Sequence, residues 1–208
     1  MSGFGPSMVP PVAADGGRAP ACNEQIDGQE HPAMRETPAE LRELQALLDA
    51  SLARSSAHLR SIIHAGTTLT AEQLTEVLTG MCTLALSTVT AKGEPRISGA
   101  DGHFLHGRWH FGTAAGAAKA RHLAARPAAS VAHMRGEDLG VFAHGTVEIL
   151  CSPGREPAAD WPYVREYFQD FYGDDAFDWD DVVCYRLHPH WMTAYAPDFA
   201  KLTAAPRP

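Results

Sequence analysis

The chain has 208 residues, 45% of them hydrophobic, which suits one domain of roughly 150 residues with a sizeable core plus extensions. Its formal net charge of −8 lacks the basic footprint expected for nucleic acid or an anionic membrane surface. There is no run of about 18 apolar residues to span a bilayer, and the N-terminus lacks the basic-then-apolar order of a secretory signal.

Four cysteines, at positions 22, 82, 151 and 184, form no C-x-x-C pair. That argues against a zinc or redox motif and for reduced thiols in a cytoplasmic setting. Lysine is scarce: Lys92, Lys119 and Lys201 stand against fourteen arginines.

In chain order, residues 1–36 are rich in Pro, Gly and Ala without periodicity and read as a disordered tail. Residues 37–80 read as helical. From Glu40, an apolar stripe at 3- and 4-residue spacing (Leu41, Leu44, Leu48, Leu52, Leu59, Ile62, Ile63) predicts one long amphipathic helix ended by Gly66. Such a helix must dock on the domain or on a second subunit. Thr70-Ala-Glu-Gln73 is a capping box, opening a short helix with Leu74, Val77 and Leu78 inward and Gly80 as its stop.

Residues 81–196 read mainly as strands. Met81 to Val89 is dense in β-formers, Lys92-Gly93 supplies a turn, and Arg96 to Asp101 returns. Phe104-Leu105 and Trp109-His-Phe111 flank a hairpin turn at His106-Gly-Arg108. An Ala-rich helix then runs from about Ala117 to Arg126-Pro127. Ser130 to Met134 and Val141 to Leu150 form another antiparallel pair. A helix over about Ala158 to Tyr172 presents Trp161, Val164, Tyr167, Phe168 and Phe171. After an acidic loop at 174–181 come strands Val182 to Leu187 and Trp191 to Tyr195, broken at Pro189. Residues 197–208 read as a flexible tail.

The predicted fold is therefore mainly β with helical additions: a barrel of six to seven antiparallel strands preceded by helices. Hairpin-sized spacings exclude a doubly wound parallel sheet.

The stretch with most chemistry is Trp109 to Leu123. A strand ending in Phe111-Gly112-Thr113 leads through the small-residue turn Ala114 to Gly116 into a helix carrying Lys119 and Arg121. Amides at a helix start, a threonine hydroxyl and a lysine together can hold a phosphate. Eleven histidines raise a metal question, but strand alternation keeps His103, His106 and His110 from converging. His188 and His190 lack an assignable carboxylate or thiol partner, so no metal site is assigned.

The region Met81 to Leu150 resembles the pyridoxamine 5′-phosphate oxidase-like family of split β-barrels. The resemblance rests on an ordered set: Cys82 to Val89, Pro95-Arg-Ile-Ser98, Phe111-Gly-Thr113, Gly116-Ala-Ala-Lys119, Gly145-Thr-Val-Glu148 and Leu187-His-Pro189. It implies a homodimer with two FMN sites at the subunit interface and a flavin-dependent oxidoreductase acting on a small-molecule substrate. Lys119 and Arg96 match phosphate-binding positions, Thr113 a hydroxyl at the phosphate or ribityl end, and Gly112 lies in the same step. Ile97 and Ser98 match backbone positions beside the isoalloxazine.

The family's Ser-Arg before the lysine is Ala117-Ala118 here, so a hydroxyl and a guanidinium are missing. Some members bind the deazaflavin coenzyme and some bind haem, for which His110 or His122 would be the axial candidates. The alternatives to an FMN oxidoreductase are thus a deazaflavin-dependent reductase and a non-catalytic flavin- or haem-binding protein. No residue is assigned as a catalytic acid or base.

Overall fold

The computed structural model describes residues 36–173, 176 and 179–204. The expected N-terminal tail up to residue 35, the last four residues and four positions of the acidic loop lie outside them. Six strands, β1 (Met81–Val89), β2 (Pro95–Leu105), β3 (Arg108–Ala114), β4 (Ala128–Arg135), β5 (Leu139–Cys151) and β6 (Val182–Tyr195), close into an antiparallel barrel. The ring order is β1-β2-β3-β6-β5-β4, with β4 pairing back onto β1 through Ala85↔Ala132.

Alternation along each strand fills the barrel interior. Leu84, Leu86, Ala100, Phe104, Trp109, Phe111, Val131, Val141, Ala143, Tyr185, Leu187 and Met192 share one buried cluster. Two pairs of expected strands are single strands. Arg96–Asp101 and Phe104–Leu105 are continuous in β2, because Gly102 and His103 keep extended pairing with β1.

Pro189 does not break β6, because a register shift between His144 and Gly145 on β5 absorbs it. Here Gly145 is required by close approach: a Cβ would lie 2.2 Å from the His188 carbonyl oxygen. The hairpin turn is confirmed at His106 and Gly107, both at positive φ (52° and 70°).

The long helix expected from Glu40 is two helices, α1 (Pro38–Ala53) and α2 (Ala57–Ile62). Around the break the Ser51 and Ser55 hydroxyls donate to the carbonyls four residues back, and Ser56 caps the second helix. α1 docks on the barrel itself. Leu44 and Leu48 enter the core, the Met192 amide donates to the buried Ser51 Oγ, and Arg54 reaches the His190 carbonyl.

The Thr70 capping box opens α3 (Ala71–Val77) with both reciprocal bonds formed, and Leu74, Val77 and Leu78 are buried as expected. α4 (Ala118–Ala125) follows β3. α5 (Trp161–Tyr172) covers the outer face with Trp161, Val164 and Phe168 against Leu150, Val182 and Cys184. Phe171, expected on that inner face, meets the His103 ring edge-on while about half of it stays exposed. Phe199–Ala204, within the expected C-terminal tail, forms α6.

Among the described residues, no helix is long and apolar enough to cross a membrane.

Candidate functional site

Pairing of β2 with β3 is confined to Gly102–Leu105 against Arg108–Phe111. Beyond that point β2 pairs only with β1, through Val89↔Pro95 to Thr83↔Asp101, while β3 continues against β6 through Ala114↔Val182. The two strands therefore part, and Gly99–Asp101 on one side faces Gly112–Ala114 on the other across an open ladder. α4 starts at the head of this opening. Its Lys119 reaches back across it, donating from Nζ to the Gly99 carbonyl at 2.5 Å.

Burial and charge set the state of this lysine. Lys119 is half-buried, and loss of solvent lowers its affinity for a proton, an effect that the nearby Asp101 carboxylate opposes. The same burial raises Asp101, which Lys119 in turn opposes. Asp101, unremarkable in the sequence, is thus the acidic neighbour of the site. Its alternation with Gly99 along β2 was the available signal.

The start of α4 is equipped for an anion. Its N-cap is Ala117, which has no side-chain oxygen to accept from the first-turn amides, so those donors lack a side-chain cap. Arg121 folds back along the helix and donates to the Gly116 carbonyl at 2.6 Å, setting its guanidinium on the turn before the helix. The helix start thus carries two cationic side chains and its own partial positive charge.

The structure brings only part of the expected set together. Gly112 and Thr113 are buried on β3 beside the opening, and Gly112 and Asp101 line one small void with His103 and Cys184. Ser98 is half-buried, and its Oγ is enclosed without a hydrogen-bond partner. Ile97 points outward, 77% exposed, on the opposite face of the strand from Ser98. Arg96 stands apart. It lies about 10 Å further along β2 than Gly99 and pairs with Glu94 at 2.9 Å on the exposed surface.

The other singled-out residues have structural partners. Glu148 of the Gly-x-x-Glu step accepts from Arg186 and His188, and Arg186 also pairs with Asp160. His122 Nδ1 meets Thr88 Oγ1 at 3.0 Å, His110 is buried with Nδ1 near the Arg108 carbonyl, and His144 stacks on Trp191. Among the described residues, no group of three His, Cys, Asp or Glu side chains is arranged to hold a metal.

A cluster that the sequence did not indicate surrounds His103. This buried imidazole bonds the Tyr167 and Tyr172 hydroxyls (3.0 and 2.8 Å) and meets both rings, Phe168 and Phe171 edge-on. Burial pulls His103 down to about 4, so it is neutral at physiological pH. Histidine and aromatic residues lie 64 or more positions apart here, a juxtaposition only the fold creates.

Comparison with known proteins agrees with this architecture. The family model described as pyridoxamine 5′-phosphate oxidase matches residues 70–195. None of the curated proteins matches the chain. Among solved structures, the haem storage protein HutZ from Vibrio cholerae superposes with a TM-score of 0.51 at 18% identity, over 60% of this chain and 93% of that one. The protein Atu2129 of unknown function from Agrobacterium tumefaciens gives 0.50 at 16% identity, over 59% and 54%. At such identities the likeness speaks for the fold alone. The family match spans more than half of the chain and includes every strand of the barrel, and the chain belongs to the pyridoxamine 5′-phosphate oxidase family.

Proposed function

We propose that the chain is a flavin-binding oxidoreductase that holds FMN at the opening between β2 and β3. The observation that carries this reading is the bridge from Lys119 to Gly99 at the head of an uncapped helix start. The residues fit a phosphorylated group. Lys119, the first-turn amides of α4 and Arg121 supply positive charge and donors, and Thr113 lies at the end of the adjoining strand.

The stretch of β2 from Ile97 to Gly99, paired with β1 but not with β3, offers its backbone edge to a flat ring system. An isoalloxazine bound there would supply hydride or electron transfer, and the protein would position it and exclude water. Arg96 serves this role only by leaving Glu94. Arg121 is the better placed substitute for the guanidinium missing at Ala118.

The reading includes two further features, a homodimer completing each site and a small-molecule substrate. The Ala117-Ala118 step favours one second reading, a deazaflavin-dependent reductase, because it removes two ligands of a conventional FMN phosphate cradle.

The absorption spectrum of the purified protein, recorded before and after incubation with FMN, tests the proposal. A bound oxidised-flavin spectrum that a reductant bleaches supports it. A protein that stays colourless after FMN and desalting overturns it. Preferential retention of a deazaflavin from an equimolar mixture would favour the second reading.

A further inference from the structure

Cys151 and Cys184 are separated by more than thirty residues in sequence, yet they are direct partners across the β5–β6 ladder. The pairing depends on an irregularity. Ile149 faces Tyr185 and Cys151 faces Cys184, so Leu150 is an extra residue on β5. Without it, alternation would send Cys151 to the opposite face from Leu150. With it, Leu150 and Cys151 both pack into the outer cluster under α5 that contains Cys184.

Directly paired residues in an antiparallel ladder have Cα atoms about 4.5–5.5 Å apart, within the span that a disulfide bridges. Both thiols are free, and the Cys184 thiol donates a hydrogen bond to the Cys151 sulfur.

The two sulfurs differ in the way a thiol exchange centre needs. Cys151 is part-exposed at the end of β5, whereas Cys184 is buried near the start of β6, between β3 and β5. The hydrogen bond from Cys184, with the Arg165 guanidinium nearby on α5, favours the thiolate at Cys151; the same hydrogen bond and burial hold the proton on Cys184. The accessible sulfur is the attacking one and the enclosed sulfur the resolving one.

From this geometry we infer that Cys151 and Cys184 are a dithiol site that small disulfides oxidise to a cross-strand bond. In the first step the Cys151 thiolate attacks one sulfur of a low-molecular-weight disulfide RSSR. The S–S bond of the reagent breaks, RS⁻ leaves and takes a proton from solvent, and Cys151–S–SR remains. In the second step Cys184 gives up its proton and its sulfur attacks Cys151 Sγ, expelling a second RS⁻, which is protonated to RSH. Two protein thiols are oxidised to one disulfide, and one RSSR is reduced to two RSH. Cys184 also faces Gly112 on β3, so the bond closes one strand away from the opening described above.

The test uses the full chain under native conditions with oxidised glutathione, followed by alkylation and non-reducing peptide mapping. The expected product has lost two hydrogens, keeps two of its four thiols open to alkylation, and yields a Cys151–Cys184 linked peptide that dithiothreitol separates. In Cys184→Ala the reaction stops with glutathione attached to Cys151. In Cys151→Ala, Cys184 takes up none. A wild-type chain with a lasting glutathione adduct on Cys151, with four open thiols, or with a link to Cys22, Cys82 or a second chain overturns the inference. Should Cys184→Ala fail to fold, the wild-type map alone decides.

Discussion

The outward face of β2 passes through two settings along a single strand. At His103 it is roofed by α5, and the imidazole is enclosed by four aromatic rings with both nitrogens bonded. From Asp101 to Ile97 β3 has parted, and Lys119 bonds back onto the strand at Gly99. The covered half has its polar groups met and its apolar surface packed, which is how a fold is stabilised. The open half retains a strand edge without a β3 partner, an exposed isoleucine and a half-buried charge pair. Such departures from full satisfaction are what the proposed cofactor would complete.

The comparison breaks most sharply on the roof. Phe168→Ala empties a buried position between α5 and the barrel and should cost roughly 3–5 kcal/mol in urea unfolding. Ile97→Ala on the same face should change stability by less than about 0.5 kcal/mol. Equal losses at the two positions would mean that the open half is packed by something else.

Acid should act next. His103 titrates at about 4 and His110 at about 3 in the folded protein, both from an ordinary 6.5 and chiefly through burial. The unfolded chain therefore binds more protons than the native one between these values and 6.5. The stability so contributed is complete above 6.5 and is lost as pH falls towards 4. For His103 alone the loss is on the order of 3 kcal/mol. Unfolding measured at pH 7 and pH 4.5 should show it, and a flat profile would contradict the burial of the covered half.

On the open half the effects concern binding. Ala118→Arg restores the guanidinium beside Lys119 and should tighten FMN binding about tenfold, or roughly 1.4 kcal/mol, in isothermal titration. The smallest effect is at Arg96→Ala. Its partner Glu94 and its own side chain are exposed, so stability should move by no more than about 0.5 kcal/mol. A drop in FMN affinity in that variant would show that Arg96 leaves Glu94 to reach the cofactor.

Most of the barrel was readable because its signals are local. The strands of β1, β4 and β5, the Thr70 capping box and the strand–turn–helix at Trp109–Leu123 follow from alternation, cap residues and small-residue turns within a few positions. Misreadings arose where tertiary contacts override local grammar. Pro189 sits inside β6 because a bulge at His190, next to it on the same strand, absorbs it, and the Leu41–Ile63 stripe is split by serines whose hydroxyls compete for backbone carbonyls. At the site, Lys119 was legible as a cation near a helix start, but its acceptor on Gly99 and its neighbour Asp101 depend on where β2 and β3 part. Arg96 matched by sequence position, yet its nearest carboxylate lies two residues away and holds it.

The central claim is that Lys119 anchors a flavin phosphate at the opening between β2 and β3. Titrating wild type and Lys119→Ala with FMN while following quenching of flavin fluorescence tests it most directly. The account predicts saturable quenching at one FMN per chain in the wild type. It also predicts a 10- to 100-fold weaker Kd in the variant, a loss of about 1.4–2.8 kcal/mol, with thermal stability unchanged. Quenching of equal affinity in both proteins, or none in the wild type, would contradict it.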